Sequence, residues 1–155
     1  MNNTISSYEQ VVDYFQEACT AHVAIETFAE GAIDYLDSNS QNIKYPFVFL
    51  RPLASPGITV NTRTLTFELY AMDVPKLSNQ SPLQVKSNTE QYIYDVLSYI
   101  NYGPVPPTDQ NGFDVEMSNM TPVNEAFNDR VYGWVAQITV SQAGIFNYCL
   151  YPQLP

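Results

Sequence analysis

Hydrophobic and polar positions follow two periods along this chain. Over residues 7–22, Tyr8, Val11, Val12, Phe15, Ala18, Cys19 and His22 recur at steps of three and four, with Glu9, Asp13 and Glu17 opposite. One apolar stripe at that spacing predicts an amphipathic helix. Ser6 and Ser7 precede Glu9 and Gln10 by three residues, the spacing of a capping box. A second helix is predicted to open at Ser87, with Glu90 at the capping position. Ile93, Val96, Leu97 and Ile100 form its buried stripe, and Gly103-Pro104 ends it.

The other period is two. Residues 130–140, RVYGWVAQITV, alternate Tyr132, Trp134, Ile138 and Val140 with Gly133, Gln137 and Thr139, which predicts a strand with one buried face. Residues 63–74 alternate likewise, with Leu65, Phe67, Leu69 and Ala71 against Thr64, Thr66 and Glu68. Residues 23–28 are a short apolar run read as a strand, and 30–36 as a helical turn closed by SNSQN. Residues 45–50 read as a strand that is either an edge or begins at Pro46, because proline cannot donate to a ladder. Residues 51–61, with Pro52, Pro56 and Gly57, read as the stiffened tip of a hairpin. Residues 76–86 read as a polar connection and 103–112, GPVPPTDQNG, as a rigid exposed loop. Residues 113–117 form a strand with Asp114 and Glu116 on its outer face, and 120–129 a loop.

The predicted order is α, β, a small turn, β, β, α, β, β. Half-buried strands fit an α+β fold, an antiparallel or mixed sheet with two helices packed on one face. The chain reads as a single domain over 1–155, with a core at 7–142 and an aromatic C-terminal tail at 143–155, FNYCLYPQLP at its end.

Composition narrows the function. At 155 residues one domain buries roughly 70% of the surface its unfolded chain exposes. Six basic against sixteen acidic residues give a net charge of −10, which opposes a basic nucleic-acid patch. Charged residues make up only 14% of the chain, while tyrosine is present twelve times. A surface polar through Tyr, Asn, Ser, Thr and Gln suits contact with other proteins. Cys19 and Cys149 form no disulfide framework, so a reducing cytoplasm is expected. No signal-peptide pattern opens the sequence and no apolar run approaches the ~20 residues of a membrane span. A soluble protein with no membrane partner is expected.

The inventory for catalysis is short. A single histidine leaves His-rich metal sites and most nucleophile arrangements without parts. Cys19 and His22 stand three apart on one predicted helix, a thiol and a base in reach, although both also belong to its apolar stripe. Asp34 and Asp37 are one turn apart, either a cation site or a solvated face. Asp114 and Glu116 share a strand face about 7 Å apart, without a pocket or a partner group. The six glycines are scattered and form no phosphate loop. The expectation is a protein that is not an enzyme and has no cofactor and no metal. Arg130 opens the Trp134 strand, either to meet acidic residues of a neighbouring subunit or to cap the strand beside Asp129.

An N-terminal helix and strand, then YPFVFLRP and RTLTFELYAMDV, then SNTEQYIYDVLSYI, FDVEMSN and DRVYGWVAQITVSQ, together resemble a family. They resemble the tail-terminator or tail-completion proteins of tailed-bacteriophage necks, in versions from phages of Bacteroides-type hosts. The resemblance spans about residues 8–142, and YP and D-R-x-x-G-W carry it best. It implies a virion protein, assembled in the host cytoplasm, that forms a ring of six or twelve subunits at the head–tail junction or the top of the tail. Its implied neighbours are neck, portal-adaptor or tail-tube proteins, with DNA passing through an axial channel without specific binding. A ring needs two unlike patches per subunit. The candidates are Arg51, Pro56 and Arg63 around the hairpin tip, Arg130, and Phe146, Tyr148 and Tyr151 in the tail, with Asp114 and Glu116 facing the lumen. The alternative is a small cytoplasmic domain that binds a ligand or a protein.

Overall fold

The computed structural model describes residues 7–32, 43–59, 61–75, 80–103, 113–126 and 131–143. These form helix α1 (Tyr8–Ala21), strands β1 (Thr27–Glu30), β2 (Phe47–Pro52), β3 (Gly57–Thr59) and β4 (Thr62–Asp73), helix α2 (Pro82–Tyr102), and strands β5 (Phe113–Ala126) and β6 (Val131–Ala143). The sheet order is β1-β2-β4-β6-β5, with β3 also paired to β4. β1 runs parallel to β2 and the other pairings are antiparallel. The expected α+β class with a mixed sheet is what the chain adopts.

Both helices lie on one face of the sheet. Val11, Phe15, Ala18 and Cys19 of α1 and Ile93, Val96 and Ile100 of α2 pack on Val48, Leu50, Phe67, Leu69, Ala136, Ile138 and Val140. Alternation along each strand sends one set of residues to this layer and the next to the far side. Removing that apolar surface from water, at roughly 25 cal/mol per Å², is what holds the helices to the sheet. Ser7 caps α1, its hydroxyl accepting from the Gln10 amide while Gln10 Oε1 accepts from the Ser7 amide. The predicted capping box is therefore present in the Ser7–Gln10 frame.

Three expectations are corrected. α2 opens at Pro82 behind Ser81, whose capping box with Gln84 lies six residues before the predicted Ser87 start. Proline at the first helical position needs no amide partner, so Pro82 starts the helix. β5 continues through the predicted 120–129 loop as far as Ala126. Register shifts at Met117/Asn119 and Asn124/Ala126 break its alternation and hide it as a pattern. β1 occupies Thr27–Glu30, and Val23, which the apolar run put in a strand, is fully exposed. Of the two readings of residues 45–50, an edge or a strand beginning at its proline, the structure adopts the second: β2 starts directly after Pro46 and is an interior strand, buried on both faces from Phe47 to Leu50, which is why its apolar residues run without alternation. Pro46 precedes it, joined to Tyr45 by a cis peptide bond.

The hairpin tip at 51–61 carries a strand of its own, β3, and turns back through Asn61 at φ 59°. The 30–36 helical turn falls outside the described residues from 33 onward.

Candidate functional site

The face of the sheet opposite the helices divides in two. Toward β1 and β2 it is an aromatic cluster: Phe47, Phe49, Met72 and Val131 are buried there, with Tyr45 and Tyr70 against them. Phe47 and Phe49 have ring centroids 6.0 Å apart, and Phe49 and Tyr70 6.1 Å, within the range of favourable aromatic pairs. The apolar patterning of β4 and β6 gives only one buried face, so this second core was not expected. Its one sequence signal is the unbroken FVFL of β2.

Toward β3 and β5 the same face is polar. Thr64 of β4, Ser141 of β6 and Asp114 of β5 are in register, and so are Thr66, Thr139 and Glu116. The hydroxyl residues are half-exposed and both carboxylates are exposed. Asp114 and Glu116 therefore share an outer face, as the strand pattern predicted. At the boundary between the two halves, Arg51 Nη1 donates to Glu68 Oε2 over 3.1 Å, and the Tyr70 hydroxyl donates to the same oxygen over 2.5 Å. Hydrogen bonds to Tyr70 and Glu68 hold the Arg51 guanidinium more firmly protonated. Burial, helped by the bond to Glu68, pushes the Tyr70 hydroxyl up to about 12. Arg51, the one cation among the described residues of this face, is thus engaged within its own chain.

The other candidates are dispersed. Pro56 is exposed in the connection to β3. Arg63 is half-buried on the helix side of β4, where burial lowers its pKa, and its Nη2 donates to Gln142 Oε1 over 3.3 Å. Arg130, Phe146, Tyr148, Tyr151, Asp34, Asp37 and Cys149 lie outside the described residues.

Cys19 and His22 do not form a thiol–base pair. Cys19 is buried in the main core, and burial pushes its thiol up to about 12, far from a reactive thiolate. His22 turns to α2 instead, with Nε2 2.9 Å from Asp95 Oδ2 and Nδ1 accepting from the Ala24 amide at 3.1 Å. A shallow open groove of about 520 Å³ runs along α1 beside Tyr99, lined by Asp13, Gln16, Glu17, Thr20 and Ala21. Among the described residues no three His, Cys, Asp or Glu side chains gather as metal ligands.

The sequence matches no family model and no curated protein.

Proposed function

We propose that this chain is a structural subunit of a ring at the head–tail junction or the top of the tail of a tailed phage, with the polar half of its sheet turned to an axial channel for DNA. The carrying observation is that polar face. Its open corner places Asp114 and Glu116 beside rows of threonine and serine, and its one described cation, Arg51, is tied to Glu68. Such a wall offers a duplex no counter-charge, so a polyanion passes without sticking. A ring also needs two different contact patches on each subunit. Among the described residues the sheet ends in two unlike edges, the four-residue β1 and the fourteen-residue β5. The resemblance to tail-terminator proteins supplies the class. In this role the chain works by shape and charge, without catalysis, cofactor or metal, and its home is the virion.

Electron microscopy of the purified protein, alone and mixed with neck and tail-tube proteins, tests the proposal. Rings of six or twelve subunits with a channel lined by Asp114 and Glu116 are expected. A chain that stays monomeric in every mixture, or a ring with a basic lumen, overturns it.

A further inference from the structure

The turn that carries α1 into β1 is closed by the side chain of the chain's single histidine. α1 ends at Ala21, with the His22 amide donating to the Cys19 carbonyl at 3.2 Å, and β1 begins at Thr27. Between them the chain bends at Val23 and Ala24. His22 Nδ1 accepts from the Ala24 amide at 3.1 Å, a bond from a side chain to the main chain two residues on, as short polar side chains make in turns. Among the described residues it is the one hydrogen bond made by Val23 or Ala24. Val23, at the tip, is fully exposed. The next anchors are Ile25, packed against the main core, and the Glu26 amide, which donates to the Pro46 carbonyl at 2.9 Å.

The two ring nitrogens answer a second proton differently. Nε2 lies 2.9 Å from Asp95 Oδ2, which accepts a hydrogen bond from the neutral ring and forms an ion pair with the charged one. Nδ1 faces an N–H, and it accepts only while it carries no proton. Protonation therefore leaves the Asp95 side in place and sets two N–H groups against each other on the Ala24 side. Tyr92 of α2 meets the ring edge-on, with centroids 5.2 Å apart. Burial and the charges of Asp73 on β4 and Asp95 on α2 push the Tyr92 hydroxyl up, so it stays neutral. The last turn of α1 has no basic residue, and Glu26 in the link is exposed. Both Asp95 oxygens are engaged, Oδ1 by Gln91 and Oδ2 by His22, so neither is placed to take over the Ala24 amide.

We propose that His22 is a protonation-operated latch on the α1–β1 turn. Neutral, its ring closes the bend; protonated, it keeps Asp95, lets go of the Ala24 amide and frees residues 23–24 to move. The proton comes from solvent to Nδ1, and only a hydrogen bond breaks. The movement stops at Ile25 and Glu26, whose anchors, apolar packing and a main-chain carbonyl, do not titrate. β1 is one of the two edges of the sheet, so the latch sets how the chain enters that edge. The proposal does not rest on the ring.

NMR on the full chain between about pH 8 and about pH 5 tests it, with the His22 ring signals reporting the ring's own protonation. As the ring gains its proton, the Ala24 amide should lose about fivefold in exchange protection, corrected for intrinsic pH dependence, the value of one hydrogen bond. The backbone order parameters of Val23 and Ala24 should fall over the same interval, while the Glu26 amide keeps its protection. His22→Asn puts an oxygen that takes up no proton in this range at the accepting position, and should hold both quantities flat. Ala24 protection that stays constant while the ring titrates overturns the proposal, as does the same loss in His22→Asn. Lost protection with unchanged order at residues 23–24 also overturns it, because the amide then trades its partner for water without movement of the turn. So does a ring that takes up no proton above about pH 5. The wild-type series decides by itself if the variant fails to fold.

Discussion

Trp134 donates its indole N–H to the main-chain carbonyl of Lys86, 2.9 Å away, and so ties the first part of β6 to the start of α2. The ring is half-buried and packs on the main core from the helix side. The chain's one tryptophan is therefore a clasp between the two layers. The Thr89 hydroxyl donates to the same carbonyl at 3.1 Å, so that oxygen keeps a partner when the indole is removed.

Trp134→Phe should consequently cost only about 1 kcal/mol, the value of one hydrogen bond. Trp134→Ala loses the ring's packing as well and should cost about 2–4 kcal/mol, below the full cost of a wholly buried aromatic. Urea unfolding of the two variants separates the bond from the packing. Equal losses would show that the Lys86 contact carries the whole effect.

Ser81→Ala should destabilise the protein by about 1 kcal/mol through loss of the α2 cap, read in the same unfolding assay. Ser87→Ala, at the predicted helix start, should change stability by less than about 0.5 kcal/mol. The contrast locates the limit of what was legible in the sequence. Both Ser81–Gln84 and Ser87–Glu90 have capping-box spacing, and local pattern does not choose between them. The burial of Val85 and Thr89 against the rest of the fold does. Clean alternation in β4 and β6 made those strands readable, as the 3.6-residue stripe did for α1. β5 was readable only up to the bulge after Met117, because an edge strand with polar residues on its exposed positions looks like a loop. The polar half of the far face was half-readable. The sharing of one face by Asp114 and Glu116 follows from a period of two, but their register with Thr66, Thr139 and Ser141 is set by long-range pairing that local pattern does not encode.

Gly133 faces Met72 across the β4–β6 ladder. A Cβ there would lie 1.9 Å from the Ala71 carbonyl oxygen and 2.9 Å from Met72 Cα. The obstruction is main chain, which cannot rotate aside, so the two strands close only around a residue without a side chain. Gly133→Ala should cost about 3 kcal/mol, the upper part of the range for overpacking. Gly57, at φ 88° in open space, provides the control: Gly57→Ala strains only its own backbone, at about 1–2 kcal/mol. Thermal unfolding should rank the two in that order, and the reverse ranking would mean that β4 and β6 separate at little cost.

The contact of His22 with Asp95 makes a prediction about acid stability. Burial pushes the Asp95 carboxyl up, but hydrogen bonds with His22 and Gln91 outweigh it and leave the group below its ordinary value. A carboxyl that is a stronger acid folded than unfolded contributes stability that is complete above its unfolded value, about 3.9. That contribution is lost as the pH falls through the depressed folded value. The Asp95 side chain is 38% exposed, so solvent screening keeps the contribution below about 1 kcal/mol. Because Nδ1 of His22 accepts from the Ala24 amide, the neutral ring carries its proton on Nε2 and donates it to Asp95. Asp95→Asn preserves an acceptor for that proton while removing the titration. Its unfolding free energy at pH 7 should stay within about 1 kcal/mol of the wild type, and between pH 5 and 3 it should fall less steeply. Urea titrations at successive pH values measure the two slopes. Parallel curves down to pH 3 would mean that the carboxylate of Asp95 does no more for the α1–α2 junction than an amide would.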